Sequence, residues 1–243
     1  MRQLLAARGV VDEDGLSYTV PEDLLAHWRH PALLLSQTCG YPLVTLLANV
    51  QTVGCFHYSA PGCEGRNYRS LLVAREADGG KSLADFHGRR VACNSPDSQS
   101  GYNVLLKMIA PLSRDGRFFS TVAFSGSHRQ SLRELQQGTA DIAAIDCVTW
   151  ALLQRHQPEA LAGLTVIAHS PLAPGLPLIT SATTPAATLE LLREALQQLV
   201  SDERYQPLCE ALFICGYSDM RRADYQPLLA WRDEAAARGV VRL

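Results

Sequence analysis

The spacing of apolar and polar positions divides the chain into short elements. Glu22 to Arg29 carries apolar residues at helical spacing and is closed by Pro31, so it reads as a short helix; Ala32 to Ser36 is a compact apolar run suited to a buried strand. After the turn-rich stretch 37–42, Val50 to Tyr58 and Tyr68 to Arg75 read as two more strands, separated by a loop that Pro61, Gly62 and Gly65 punctuate. From Lys81 the rhythm becomes short helix, strand, helix, strand. Ser82 with Asp85 makes a capping box, Gly88 ends that turn, and Arg90 to Cys93 is the next strand. Tyr102 to Ile109 has the helical period and Phe119 to Phe124 is a strand. Ser127 followed by Gln130 opens a helix through Leu132 and Leu135 to Gly138, placed as an αL cap. Asp141 to Asp146, Leu164 to Ala168 and Leu176 to Thr180 supply further strands. Thr184 as N-cap and Pro185 at the first helical position begin a helical tail with Leu189, Leu192, Leu196 and Leu199 on one face. Strands alternating with helices predict an α/β fold with largely parallel sheets covered on both faces.

Composition narrows the class. The 243 residues are 47% hydrophobic and 19% charged, an ordinary globular balance, with room for one large domain or two units of about 100–120 residues each. A net charge of -2 argues against a nucleic-acid partner, which needs a clear positive excess. Apolar runs such as Leu43 to Val50 stop well short of the roughly 18 residues of a membrane span. The start, MRQLLAARGV, has no apolar segment of the signal-peptide kind, so the chain as it stands reads as cytoplasmic. Seven cysteines without CxxC spacing suit buried thiols in a reducing compartment better than a disulfide framework. His27 and His30 lack a third ligand nearby and Cys55 with Cys63 lacks metal spacing, so no metal site is expected; GxxxxGK[ST] is absent, and no cofactor is expected either.

Three segments hold candidate chemistry. In Val91 to Tyr102 a strand runs into a loop dense in hydroxyl and amide groups, and Gly101 leads into a helix. Helix-start N–H groups with the donors of Ser98, Gln99 and Ser100 favour an anion, and Gly101 lets the backbone approach it; the same residues also read as a plain polar turn with an N-cap. Asp97 has the wrong sign for an anion, so it points away, caps the helix or meets a cationic part of the ligand. At a second junction, Ser125-Gly126-Ser127-His128, the imidazole either donates to a bound oxyanion or is simply exposed at a surface helix start. Asp146 ends an apolar strand, where open α/β sheets place ligand groups, and Cys147 beside it invites a nucleophile reading, although buried cysteines of this kind are more often inert packing. Tyr41, Phe56 and Tyr58 stand near strand ends or turns, where a phenol can close over a ligand.

Taken in order, SQTCGYPL (36–43), APGCEGRNYRS (60–70), VACNSPDSQSGYN (91–103), FSGSHRQSL (124–132) and GTADIAAIDCVTW (138–150) resemble the phosphate/phosphite/phosphonate substrate-binding proteins of ABC transporters, the PhnD-like group of type II periplasmic binding proteins. The likeness spans about residues 33–200. It implies two α/β lobes, each a mostly parallel sheet flanked by helices, with a ligand cleft between them. Lobe one would comprise residues 1–75 and 170–243 and lobe two residues 76–169, with crossovers near Leu71 to Arg75 and Ile167 to Leu172. It implies a non-enzymatic binder of a small phosphorus oxyanion, a periplasmic address and a permease partner, without membrane insertion; the rivals are a lyase or cofactor-precursor enzyme, or a ligand sensor, on the same fold. By the same resemblance Ser98, Gln99, Ser100 and Gly101 form the oxyanion loop with Tyr102 behind it, and Tyr41 and Tyr58 are the lobe-one aromatics. Ser127 and His128 stand beside the ligand, and Asp146 meets its protonated or amino end.

Overall fold

The computed structural model describes residues 1–11, 16, 21–113 and 115–243. In chain order its helices and strands are α1 (Arg2–Ala6), α2 (Leu24–Trp28), β1 (Ser36–Gln37), α3 (Gly40–Thr45), β2 (Val50–Tyr58), β3 (Asn67–Tyr68), β4 (Ser70–Arg75), β5 (Arg90–Cys93), α4 (Val104–Ile109), β6 (Thr121–Phe124), α5 (His128–Gln137), β7 (Ile142–Asp146), α6 (Cys147–His156), β8 (Leu164–His169), β9 (Ala173–Pro174), β10 (Pro177–Ser181), α7 (Ala186–Ser201), α8 (Gln206–Ala211), β11 (Ile214–Ser218) and α9 (Pro227–Ala237). They gather into two compact units, one of Met1–Ser59 with Gly175–Tyr225, the other of Ala60–Pro174 with Gln226–Leu243.

In the first unit the strands lie in the order β1-β10-β2-β11, and every neighbouring pair is antiparallel. The expectation of a mostly parallel sheet fails here for a topological reason. Helical connections do join like-directed strands, β1 to β2 through α3 and β10 to β11 through α7 and α8, but a strand from the other chain segment is inserted between each such pair. Val53 of the central strand packs with Leu178, with Leu4 and Leu5 of α1, and with the α7 face of Leu192, Leu196 and Leu199. That face is the one its leucine spacing predicts, although the helix starts at Ala186 with Pro185, not Thr184, in the capping position. The Arg222 guanidinium donates to the carbonyls of Leu43, Leu47 and Val50, tying the last turn of α3 to the start of β2.

The second unit has the strand order β6-β5-β7-β4-β8. Here β5 is parallel to both β6 and β7, through the α4 and α5 crossovers, while β4 is antiparallel to β7 and β8. Leu72, Phe86, Val91, Leu105, Ile109, Phe118 and Ile142 form its core. Asp141 accepts from Arg75 and from the backbone and side chain of Arg90, joining β4, β5 and the entry to β7.

The unit boundaries differ from those drawn on the sequence. Leu71 to Arg75 is no crossover, because β4 is hydrogen-bonded on both edges inside the second sheet. Residues 226–243 join the second unit as well: Ala235 and Val240 are buried in its core, the Leu228 carbonyl accepts from Asn103 at 3.1 Å, and Glu234 pairs with Lys107. Of the apolar run Ala32 to Ser36 only Ser36 enters a strand, the two-residue β1 that it forms with Gln37.

Candidate functional site

Parallel β6, β5 and β7 present their carboxyl ends at one sheet edge, and β5 is the strand from which the order departs in both directions. Open α/β sheets collect ligand groups at such a point. Each strand runs into a helix there, so three helix starts and their capping side chains converge.

After β5 the chain makes a π turn, Gln99–Asn103, that continues into α4. Ser98, rather than Asp97, is its cap: the hydroxyl accepts from the Gly101 N–H at 3.0 Å. A Cβ on Gly101 would lie 1.9 Å from Asn94 Oδ1 and 3.3 Å from Ser98 Oγ, so glycine here leaves room for the Asn94 amide, which any larger residue would displace. After β6 the Ser127 hydroxyl caps α5 by accepting from the Gln130 N–H at 3.1 Å, and Gly138 ends that helix in the αL conformation at φ 73°. Ser125 and Gly126 donate their N–H groups to the carbonyls of Cys93 and Asn94, lacing this junction to the first. After β7 Asp146 caps α6, its Oδ1 accepting from the Thr149 N–H at 2.7 Å.

His128 joins the three. Its Nε2 shares a hydrogen bond with Ser100 Oγ at 2.8 Å and stands 3.4 Å from Asp146 Oδ2. Burial holds the imidazole pKa below its ordinary value, opposed by the Asp146 carboxylate and the Ala144 carbonyl. The exposed surface histidine that the sequence also allowed is therefore not what forms: the side chain is 12% exposed and that of Asp146 7%. The cluster thus offers hydroxyl and imidazole groups beside a carboxylate, and the first-turn N–H groups of Gln99 and Ser100 have no intrahelical acceptor to satisfy.

The other predicted residues are placed differently. Gln99 is buried, with Oε1 accepting from Asn103 Nδ2 at 2.8 Å, while its Nε2 and the Oδ1 of Asn94 are buried with no hydrogen-bond partner among the described residues. Asn94 and Asn103 were not singled out in the sequence; only their position in a turn rich in amides hinted at them. Tyr102 turns to the carboxyl-terminal tail: its ring lies 6.0 Å from that of Phe124 and its hydroxyl accepts from the Leu243 N–H at 3.5 Å. Tyr41 lies on α3, and Tyr58 ends β2 with its hydroxyl accepting from Gln37 Nε2 at 3.0 Å; both belong to the first unit. Cys147, weighed as a nucleophile, is fully buried and its Sγ faces that of Cys63 at 3.4 Å. Among the described residues no cluster of His, Cys, Asp or Glu is arranged to hold a metal ion, and no helix is long and apolar enough to cross a membrane.

Residues 33–225 match the family model described as ABC transporter, phosphonate, periplasmic substrate-binding protein. Among solved structures, PhnD1 from Prochlorococcus marinus in complex with methylphosphonate is similar at a TM-score of 0.77 and 13% identity, over 97% of this chain and 90% of that one. A binding-protein component of an ABC phosphonate transporter from Pseudomonas aeruginosa is similar at 0.75 and 19% identity, over 88% and 72%. MatC from Rhodopseudomonas palustris with bound malate is more distant, at 0.56 and 15% identity over 88% and 81%. No curated protein sequence matches the chain. At these identities the structural likeness speaks for the fold, and the family match, which covers most of the chain, carries the assignment: the chain belongs to the phosphonate-type periplasmic substrate-binding proteins of ABC transporters.

Proposed function

We propose that the protein captures a small phosphorus oxyanion, a phosphonate, phosphite or phosphate, and delivers it to an ABC permease without chemically changing it. The observation that carries this reading is the convergence of Ser100, His128 and Asp146 at the ends of three parallel strands, beside a turn in which Gly101 packs directly against Asn94. The Ser100 hydroxyl and the helix-start N–H groups would take the ionised oxygens. Neutral His128 would donate a hydrogen bond, and Asp146 would accept one from a ligand oxygen that keeps its proton or from a ligand amine. A carboxylate at this place opposes a fully ionised oxyanion, which gives selectivity by repulsion as well as attraction. Gln99, whose buried Nε2 has no partner among the described residues, is a further donor for the same site. Tyr41 and Tyr58 are proposed as ligand-contacting aromatics on the resemblance alone, whereas the hydroxyls of Ser127 and Tyr102 serve chiefly to hold the scaffold.

The reading is tested by thermal shift against phosphate, phosphite, methylphosphonate, aminoethylphosphonate, sulfate, sulfonates and aromatic carboxylates. A ligand at about 100 times its Kd should stabilise the protein by roughly 2.7 kcal/mol. Stabilisation by at least one phosphorus oxyanion, absent in Ser100→Ala and in Asp146→Ala, is the expected result; a silent panel with folded wild-type protein would overturn it.

A further inference from the structure

Cys63 and Cys147 are thiols whose sulfurs lie 3.4 Å apart across 84 residues of sequence. Their backbones are held in register for contact. The Cys147 N–H donates to the Arg69 carbonyl at 3.0 Å, Arg69 Nε donates to the Gly62 carbonyl at 3.2 Å, and the Cys63 N–H closes a turn onto Ala60 at 3.0 Å. Gly62, at φ 99°, has its Cα so near Cys147 that an added Cβ would touch the Cys147 Cβ at 3.1 Å. The loop is thus pressed onto the first residue of α6, next to Asp146. The two sulfurs also differ in access: Cys147 is fully buried and Cys63 half-buried. Cys63 lowers the Cys147 pKa by hydrogen bonding, whereas burial drives that of Cys93 up to about 12.

We propose that Cys63 and Cys147 close into a disulfide by exchange with a small-molecule or protein disulfide, fixing loop 60–66 to the start of the helix that Asp146 caps. The incoming disulfide reacts at the accessible Cys63, forming a mixed disulfide and releasing one thiol. Cys147, as thiolate, then attacks the Cys63 sulfur and expels the second thiol, so the protein loses two electrons and two protons and the reagent gains them. The family's periplasmic address supplies such oxidants. This goes beyond the ligand reading and stands or falls separately from it.

The test uses the full chain, purified reduced, incubated with oxidised glutathione at neutral pH without any oxyanion, quenched in acid and peptide-mapped after alkylation. The expected product is about 2 Da lighter than the reduced chain, contains a Cys63–Cys147 cross-linked peptide and leaves the other cysteines alkylated. Its melting temperature is higher by roughly 5–10 °C, as closing so long a loop implies, and dithiothreitol reverses the shift. Cys63→Ser abolishes the cross-link. Seven alkylated cysteines, a bond between any other pair, or glutathione left standing on Cys63 would each overturn the proposal. Because the map is made on wild type, a folding defect in Cys63→Ser does not obscure the answer.

Discussion

Asp141→Ala is expected to destabilise the second unit by about 3 kcal/mol, the lower end of the range for removing one partner from a buried ionic group. Three elements depend on that carboxylate. Arg75 donates to it from β4 at 2.8 Å, Arg90 donates from β5 through its backbone N–H and two guanidinium nitrogens, and Asp141 itself leads into β7. The side chain is 8% exposed, yet its arginines are 28% and 43% exposed and can turn to water once it is gone, which holds the cost at the low end. A fall in melting temperature of roughly 6–12 °C is the corresponding readout. The effect also has a pH signature. The Arg90 guanidinium, foremost, holds the Asp141 carboxyl well below the usual carboxylate range. A depressed folded-state pKa contributes stability that is complete above the unfolded value of about 3.9 and is lost as pH falls from there toward the folded value. The gap between wild type and Asp141→Ala should therefore be constant from pH 5 to 8 and narrow below about pH 4. Equal melting temperatures at pH 7 would show that the cluster stabilises nothing.

Gly54→Ala should cost about as much, roughly 3 kcal/mol, at the upper end of ordinary overpacking. Gly54 sits in β2 opposite Leu178, and the Tyr217 ring crosses over it so that the phenol donates to the Val53 carbonyl at 2.7 Å. A Cβ there would lie 2.4 Å from the Tyr217 oxygen and 2.6 Å from the Ser218 carbonyl. The side chain can swing aside by breaking its hydrogen bond, but the carbonyl belongs to the β11 backbone and moves only with its strand. Tyr217→Ala in the Gly54→Ala background should for that reason recover part of the loss and not all of it. The difference is measurable as a coupling energy in a denaturation cycle of the four proteins. Full recovery would locate the strain in the ring alone.

Local chemistry was legible wherever a few consecutive residues decide the outcome. The Ser82–Asp85 box, the Ser127 cap and the αL Gly138 stand where the residue types place them, because a cap needs only its own first turn. Val50 to Tyr58 and Arg90 to Cys93 are strands over the residues predicted. Ser100, His128 and Asp146 could each be picked out as strand-to-helix junctions. That they meet depends on the β6-β5-β7 order, which no stretch of sequence shorter than two crossovers encodes. Strand direction in the first unit was misjudged for the same reason: helical spacing announces a crossover but is silent about a strand inserted between its ends. Asn94 and Asn103 were passed over because their value lies in which atoms burial leaves unpaired. The contact of Cys63 with Cys147 joins residues too far apart for any spacing rule to link.

The interleaved order β1-β10-β2-β11 also sets a timetable for synthesis. When Tyr58 leaves the ribosome, β2 has neither of its neighbours, since β10 ends at Ser181 and β11 at Ser218. Strands β4 to β8 can pair with one another before β11 exists, so the second sheet can assemble while the first is still waiting. Until β10 is made an apolar strand with two open edges is exposed, the condition under which strands pair with the wrong chain. Slow, non-local closure of the first unit and an early need for a protecting partner at residues 50–58 follow directly from where its three longer strands are encoded.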